Sequence, residues 1–320
     1  MVCYSPLKAY RGRRSRISGK LSVHFSPRSP GAFSDRGLVI PCGKCEGCLL
    51  ARSFQWSVRC TCESFYHKEN YFLTLTYDKE HLPSDRNLVR AHFQGFMKRL
   101  RYYFKGYKLK VFYCGEYGET RHRPHYHAII FGLPLQKENY RLYFLNSSKK
   151  GNRNYYNPKI NEMWGKGNVA IGSFSSSSAS YVAQYTLKKN KSKFSSFVAT
   201  RAVKPFIGCS NRPAIGYQFF SEFWKAMFIR GFFAFSGNSK KDDKPKFLKP
   251  LPVFKRWLER DFPLEHFKYV VLPQRRANLQ RLREAYFHPS EYAAKLDKRL
   301  RDRYYKERAT LRKLEARCDL

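Results

Sequence analysis

The sequence predicts an α+β protein with a basic helical C-terminal extension. Strand-like and helix-like segments follow one another without the regular alternation that builds a parallel sheet. Two of the strands are joined by a turn short enough for a hairpin, and no segment repeats internally.

Composition sets the bounds. The 320 residues suit one large domain or two modest ones, and 42% hydrophobic residues are ample for a core. Charge is the outlier. Lys+Arg 62 against Asp+Glu 24 leaves a formal +38, which costs self-repulsion unless a polyanion neutralises it. With 23 Tyr and 27 Phe among the cations, nucleic acid is the expected partner: cations take phosphates and rings stack on exposed bases. No run approaches the ~20 apolar residues of a membrane span. The opening MVCYSPLKAYRGRRSR has no apolar core of the secretory type, so a cytoplasmic protein is expected. Nine cysteines, an odd number with several bunched, fit a reducing compartment better than a disulfide framework.

Residues 1 to about 40 are basic and rich in Ser, Gly and Pro, and little regular structure is expected there. PCGKCEGC (Pro41 to Cys48) leads into LLARSFQWSVRCTCESFYH, which lacks Gly and Pro and predicts a helix. Leu49, Phe54, Trp56 and Val58 supply its apolar surface, with Arg52 and Arg59 toward solvent. YFLTLTY (Tyr71 to Tyr77) is a buried strand by its β-branched and aromatic content. A helix follows, capped by Ser84 or Asp85, with Leu88, Phe96, Leu100 and Phe104 along one side. LKVFYCGEYGE and PHYHAIIFG are paired strands around the turn GETRHRP.

Asn146 to Pro158 is expected as a polar loop, and Asn168 to Phe174 as another strand. SSSSAS offers several N-caps for the helix SYVAQYTLKK. A further helix covers roughly Tyr217 to Phe228, and Ser236 to Pro250 has the composition of a linker. Two helical stretches then break at His288-Pro289. The last carries Ala293, Leu296, Leu300, Tyr304, Leu311 and Leu314 as an apolar stripe. Three regions result: a basic, cysteine-rich 1–66, a core of 67–235, and a linker with basic helices over 236–320.

Residues i and i+2 of a strand share a face, so His125 and His127 point the same way, ~7 Å apart along the strand. Such a pair can bind one metal ion, yet core or surface histidines produce the same spacing. The preceding strand ends CGEYGE and can bring a carboxylate to that face. Glu116 lies deeper in the strand and is the preferred third ligand; Glu119 fits the turn alone. Two imidazoles and one carboxylate leave open positions on a divalent ion.

Tyr181 and Tyr185 stand at i and i+4, with Lys188 on the same helix face. Amphipathic packing is one explanation. The other combines this stripe with the histidines: a tyrosine attacks a phosphodiester, keeps the 5′ phosphate as a covalent ester, and Lys188 stabilises the phenolate. A second tyrosine permits a second cut while the first phosphate is held.

FLTLTY, PHYHAIIFG and YVAQYTLK, in that order, resemble the three motifs of the HUH rolling-circle replication initiators. The YxxxY spacing is similar to the two-tyrosine class, and PCGKCEGC with FYCGEYGETRHRPHYHAIIFG resembles the gokushovirus branch of the microviruses. This resemblance covers Tyr71 to Lys189 most specifically and implies an HUH fold, a central antiparallel sheet of about five strands flanked by helices. It also implies Mg²⁺ or Mn²⁺ on His125 and His127, with Glu116 less secure because the family's carboxylate position varies. Tyr181 and Tyr185 would alternate in nicking the double-stranded replicative form at its origin and in releasing and rejoining unit-length single-stranded circles. Single-stranded and supercoiled viral DNA are the implied partners, in the cytoplasm of a bacterial host.

Cys42, Cys45 and Cys48 form C-x₂-C-x₂-C, which suits a structural Zn²⁺ once a fourth ligand is found. Cys3 is the first choice, with Cys60, Cys62 and His24 as alternatives; unligated cysteines at a helix start remain open. Gly19-Lys20, Gly43-Lys44 and Gly165-Lys166 lack the rest of a phosphate-binding loop, so unwinding is expected to fall to a host helicase and extension to a host polymerase. Two rival readings stand: a zinc-stabilised, non-enzymatic nucleic-acid binder, and an HUH relaxase or transposase, which motif order and the paired tyrosines disfavour.

Overall fold

The structure, a computed structural model, describes residues 3–14, 21–118, 121–138, 140–147, 151, 153–184, 201, 203–235, 245–298, 301, 302, 305 and 309. Two compact units divide the chain: Met1–Arg52 with Ala293–Asp319, and Ser53–Tyr292.

The first unit overturns the expectation of an unstructured N-terminus. Strands β1 (Leu7–Arg14), β2 (Leu21–His24) and β3 (Ala32–Ile40) form an antiparallel sheet in the order β2-β1-β3. Its side chains are largely exposed, so the strands lack the alternating apolar pattern by which a strand is recognised. Gly12 permits close packing: a Cβ there would lie 2.4 Å from Ser22 Oγ and 2.5 Å from His24 Nε2. Helix α1 (Glu46–Ser64) begins in this unit and ends in the second. In the terminal stripe, Ala293 and Leu296 are exposed, whereas Leu300, Tyr304, Leu311 and Leu314 lie outside the described residues.

The second unit holds the α+β core. It contains β4 (Asn70–Tyr77), α2 (Arg90–Tyr103), β5 (Lys110–Tyr117), β6 (Pro124–Phe131), β7 (Tyr143–Ser147) and β8 (Arg153–Tyr156). Next come α3 (Pro158–Trp164), β9 (Gly167–Ser173), α4 (Ser176–Gln184) and β10 (Phe206–Cys209). The sheet runs β10-β5-β6-β4-β9-β8-β7 with every pairing antiparallel. It has seven strands where about five are expected. The hairpin β7–β8 accounts for the difference, since its segment has the composition of a polar loop. All of β7 is exposed, and β8 meets β9 at the single pair Tyr155↔Ile171. Strands that bury nothing leave no apolar periodicity in the sequence.

Alternation divides the sheet's two faces. Leu73, Leu75, Tyr126, Ala128 and Ile130 pack with Phe93, Phe96, Met97 and Leu100 of α2. Phe112, Ile129 and Phe131 pack on the other face with Cys60 of α1 and Ala179, Val182 and Ala183 of α4. Ser53 and Ser57 of α1 donate to the carbonyls of Ser180 and Ser176 at 3.1 and 2.9 Å, which fixes α4 against α1.

Three local expectations are corrected. Neither Ser84 nor Asp85 caps α2, which starts after Val89; Asp85 instead accepts from the backbone and side-chain amides of Asn87. Arg59 does not face solvent: its guanidinium lies 3.9 Å from the Trp56 ring and its Nε donates to Ile215 O. The stretch with a linker's composition contains β12 (Lys246–Leu248), paired with β11 (Phe233–Phe235). Helices α5 (Tyr217–Arg230) and α6 (Pro252–Asp261) build a second core with α1 around Phe220, Phe254, Trp257 and Val58. Helix α7 (Pro263–His266), a π turn over Phe267–Val271 and α8 (Leu272–Phe287) follow, ending at His288 as the His-Pro break predicts. Among the described residues, no helix is long and apolar enough to cross a membrane.

Candidate active site

Strand pairing assembles the site. β5 sets Glu116 opposite His125, and β4 sets Thr74 opposite His127. The two-residue alternation turns both histidines to the face that α4 covers, while Tyr126 turns to the opposite core and bonds Tyr77 Oη and the backbone of Val89.

Glu116 is 2% exposed and lies between the imidazoles. Its Oε1 is 2.5 Å from His125 Nε2 and 3.0 Å from His127 Nε2. Its Oε2 is buried without a hydrogen-bond partner. One ligand atom from each of the three residues falls within 4.8 Å of the others.

Hydrogen-bond accounting defines what this cluster needs. His125 Nδ1 lies 3.1 Å from Arg123 O, and a carbonyl only accepts, so Nδ1 carries the hydrogen. A neutral His125 then presents the Nε2 lone pair to a carboxylate oxygen, another acceptor. Two acceptors at this separation require a proton or a cation between them. His127 Nδ1 is held 2.9 Å from Thr74 Oγ1, leaving its Nε2 toward Glu116. Burial works against ionisation of Glu116, and the two imidazoles outweigh it, holding the carboxyl below the usual Glu range. Two nitrogens with oriented outer hydrogen bonds, one carboxylate and an orphaned buried oxygen fit a divalent ion.

Tyr181 stands beside this cluster. Its ring centroid is 5.3 Å from His127 and 6.2 Å from Phe72, edge-on to both, and the residue is 37% exposed. Phe72 stacks on His127 at 5.4 Å. The serine run starts α4 as expected: Ser178 N donates to Ser175 Oγ and Ser175 N to Ser178 Oγ, at 3.1 and 2.9 Å. Tyr185, Lys188 and Glu119 lie outside the described residues.

Sequence reasoning overlooks Thr74, Phe72 and Arg123. Thr74 and Phe72 sit inside a strand that its composition reveals, but their contacts depend on which strand pairs with β6, which no local pattern specifies.

In the first unit, Cys3, Cys42, Cys45 and Cys48 also form a group whose sulfurs lie within 4.8 Å of one another. The backbone N–H groups of Lys44 and Cys45 hold the Cys42 thiol down at about 6, while burial pushes Cys48 up to about 12. The alternatives for a fourth ligand take no part: Cys60 and Cys62 are buried in hydrophobic clusters, and His24 Nε2 is bonded to Ser22 Oγ.

A family model for the Replication-associated protein ORF2 group matches residues 70–190, the span that carries the histidines and tyrosines. The Replication-associated protein VP4 of Bdellovibrio phage phiMH2K is 30% identical over 84% of this chain and 81% of its own length. The Replication-associated protein ORF2 of Spiroplasma virus 4 is 35% identical over 59% of this chain and 61% of its own. The Replication-associated protein ORF4 of Chlamydia phage 1 is 37% identical over 47% of this chain. The matched stretch therefore spans 61% and 38% of those last two relatives. No solved structure matches. Taken with the motif order and the antiparallel core, these similarities show that the chain belongs to the replication-associated proteins of the microviruses.

Proposed function

We propose that the chain initiates rolling-circle DNA replication as a metal-dependent, strand-transferring endonuclease. The observation that carries this reading is Tyr181 seated against His127 beside the Glu116–His125–His127 cluster. The three residues would hold Mg²⁺ or Mn²⁺, which when bound supplies charge stabilisation to the scissile phosphate. The Tyr181 oxygen attacks phosphorus, a tyrosyl–5′-phosphate ester forms, and the bond to the 3′ oxygen breaks. That oxygen takes up a proton and leaves as a 3′ hydroxyl, which primes synthesis. Attack by a 3′ hydroxyl on the ester reverses these bonds and joins strands, so cutting and circle closure share one site. Tyr185 performs the second cut, with Lys188 stabilising the phenolate.

The substrate is the origin of the viral replicative form, in single-stranded or supercoiled duplex DNA, inside the cytoplasm of a bacterial host. Residues 67–235 form the catalytic region, flanked by 1–66 and the basic 236–320. Host helicase and polymerase supply unwinding and extension. Labelled single-stranded origin DNA with Mn²⁺, resolved on a denaturing gel, tests the reading. The wild type should cut and Tyr181→Phe/Tyr185→Phe should not. Cutting by that double variant, or binding of a confirmed origin without any cleavage by wild type, would favour a non-enzymatic binding protein.

A further inference from the structure

The four thiols of the first unit are arranged around one point. Cys42, Cys45 and Cys48 come from the turn entering α1, while Cys3 comes from the residues before β1. Cys3 and Cys45 sulfurs are 3.8 Å apart, and all four cysteines are free. Backbone amides converge on these sulfurs. Cys42 N donates to Cys3 Sγ at 3.2 Å, Tyr4 N to Cys45 Sγ at 3.3 Å, and Lys44 N and Cys45 N to Cys42 Sγ at 3.5 and 3.3 Å. Gly43 sits at φ +73°, the left-handed conformation that glycine adopts without strain, where the turn aims two of these amides at one sulfur. A thiol is a weak acceptor, whereas a thiolate is charged and rewards such donors. Four thiolates this close repel one another unless a cation lies among them.

We propose that Cys3, Cys42, Cys45 and Cys48 bind a single structural Zn²⁺ that fastens the N-terminal sheet to the first turn of α1. Dimensions favour one tetrahedral ion. Zn–S bonds of about 2.3 Å place the sulfurs of a regular tetrahedron about 3.8 Å apart, the separation of Cys3 from Cys45. A cubane iron–sulfur cluster attaches its four cysteines to four different irons and needs a wider ring of sulfurs. All four positions are taken by protein, so the site is closed and structural, unlike the open His/Glu site of the second unit.

The packing of the unit explains why an ion is needed. Among described residues 3–52, Ala9, Leu49 and Leu50 are the hydrophobic residues that reach full burial. Leu7, Leu21, Val23, Phe25 and Val39 are exposed on or beside the three strands. A sheet with so little core needs another source of stability, and metal binding in small units is folding free energy.

The test is made on the full-length chain, purified in reductant and dialysed against EDTA without added metal. Elemental analysis should find one zinc per chain and no stoichiometric iron. Co²⁺ exchanged for the bound metal should give the visible bands of a tetrahedral ion and the intense near-ultraviolet charge transfer of four thiolates. This spectrum counts the ligands in the wild type, so it stands even if a cysteine variant misfolds. Cys45→Ser should lose the metal, while Cys209→Ser, outside the group, should keep it. A metal-free chain, stoichiometric iron, a six-coordinate Co²⁺ spectrum or zinc retained by Cys45→Ser would each overturn the inference. The nicking assay fails separately: bound zinc without cleavage refutes only the proposed function, and cleavage without zinc refutes only this site.

Discussion

His125 and His127 differ in what holds their outer nitrogens, and the difference is testable. His125 leans on a backbone carbonyl, which no side-chain substitution removes, whereas His127 depends on the Thr74 hydroxyl. Thr74→Val keeps the shape of the strand and deletes that hydrogen bond. Loss of such an outer-shell partner typically lowers metal affinity ~10–100-fold. The variant should therefore need correspondingly more Mn²⁺ for half-maximal nicking, while recovering near wild-type rates at saturation. An unchanged metal titration would remove Thr74 from the site. The HxH spacing and the preceding carboxylate are visible in the sequence because both follow from two-residue alternation along a hairpin. Thr74 is not, because its partner lies fifty-three residues away across a pairing that only the folded sheet specifies.

At the scale of elements, Glu63 couples α1 to the sheet. Fully buried, it meets Lys110 Nζ of β5 at 2.7 Å, His67 Nε2 at 2.9 Å and the Gly216 N–H at 2.7 Å. Burial pulls its carboxyl up, but the bonds from His67, Lys110 and Gly216 together outweigh it and hold the group below its usual range. An unfolded Glu takes up its proton near pH ~4.3, the folded one only at lower pH. The unfolded state thus binds more protons in that window, and this contribution is present above it and lost as pH falls through the folded value. Glu63→Gln should flatten the acid limb of the stability curve. Glu63→Ala should cost about 3–5 kcal/mol in urea unfolding at neutral pH, because Lys110 is left without its carboxylate in a largely buried site. A cost under ~1 kcal/mol would show the cluster to be dispensable. Elements with an apolar face, such as β4, β6, α2 and α4, are legible from their periodicity. The exposed strands β1–β3 and β7–β8 are not, since backbone pairing rather than burial defines them.

Charge acts at the scale of the whole molecule. A formal +38 predicts DNA binding dominated by phosphate contacts, with counterions released on association. If six or more phosphates are neutralised, affinity should fall at least ~10³-fold between about 50 and 200 mM salt. Fluorescence anisotropy with a random-sequence oligonucleotide measures this, and a flat response would deny broad phosphate contact. The basic character and its partner class are legible from composition alone. Which surfaces carry the contacts is not, because cations are spread along the entire chain and their grouping emerges only on folding.

The central claim is that the tyrosine seated against His127 carries out the strand transfer. The most direct measurement is to trap the protein–DNA adduct on single-stranded origin DNA with Mn²⁺, digest it and map the modified residue by mass spectrometry. The account predicts a nucleotide 5′ phosphate esterified to Tyr181, with Tyr185 taking its place in Tyr181→Phe. An adduct on a residue of neither kind, or cleavage that leaves no adduct at any time point, would contradict it.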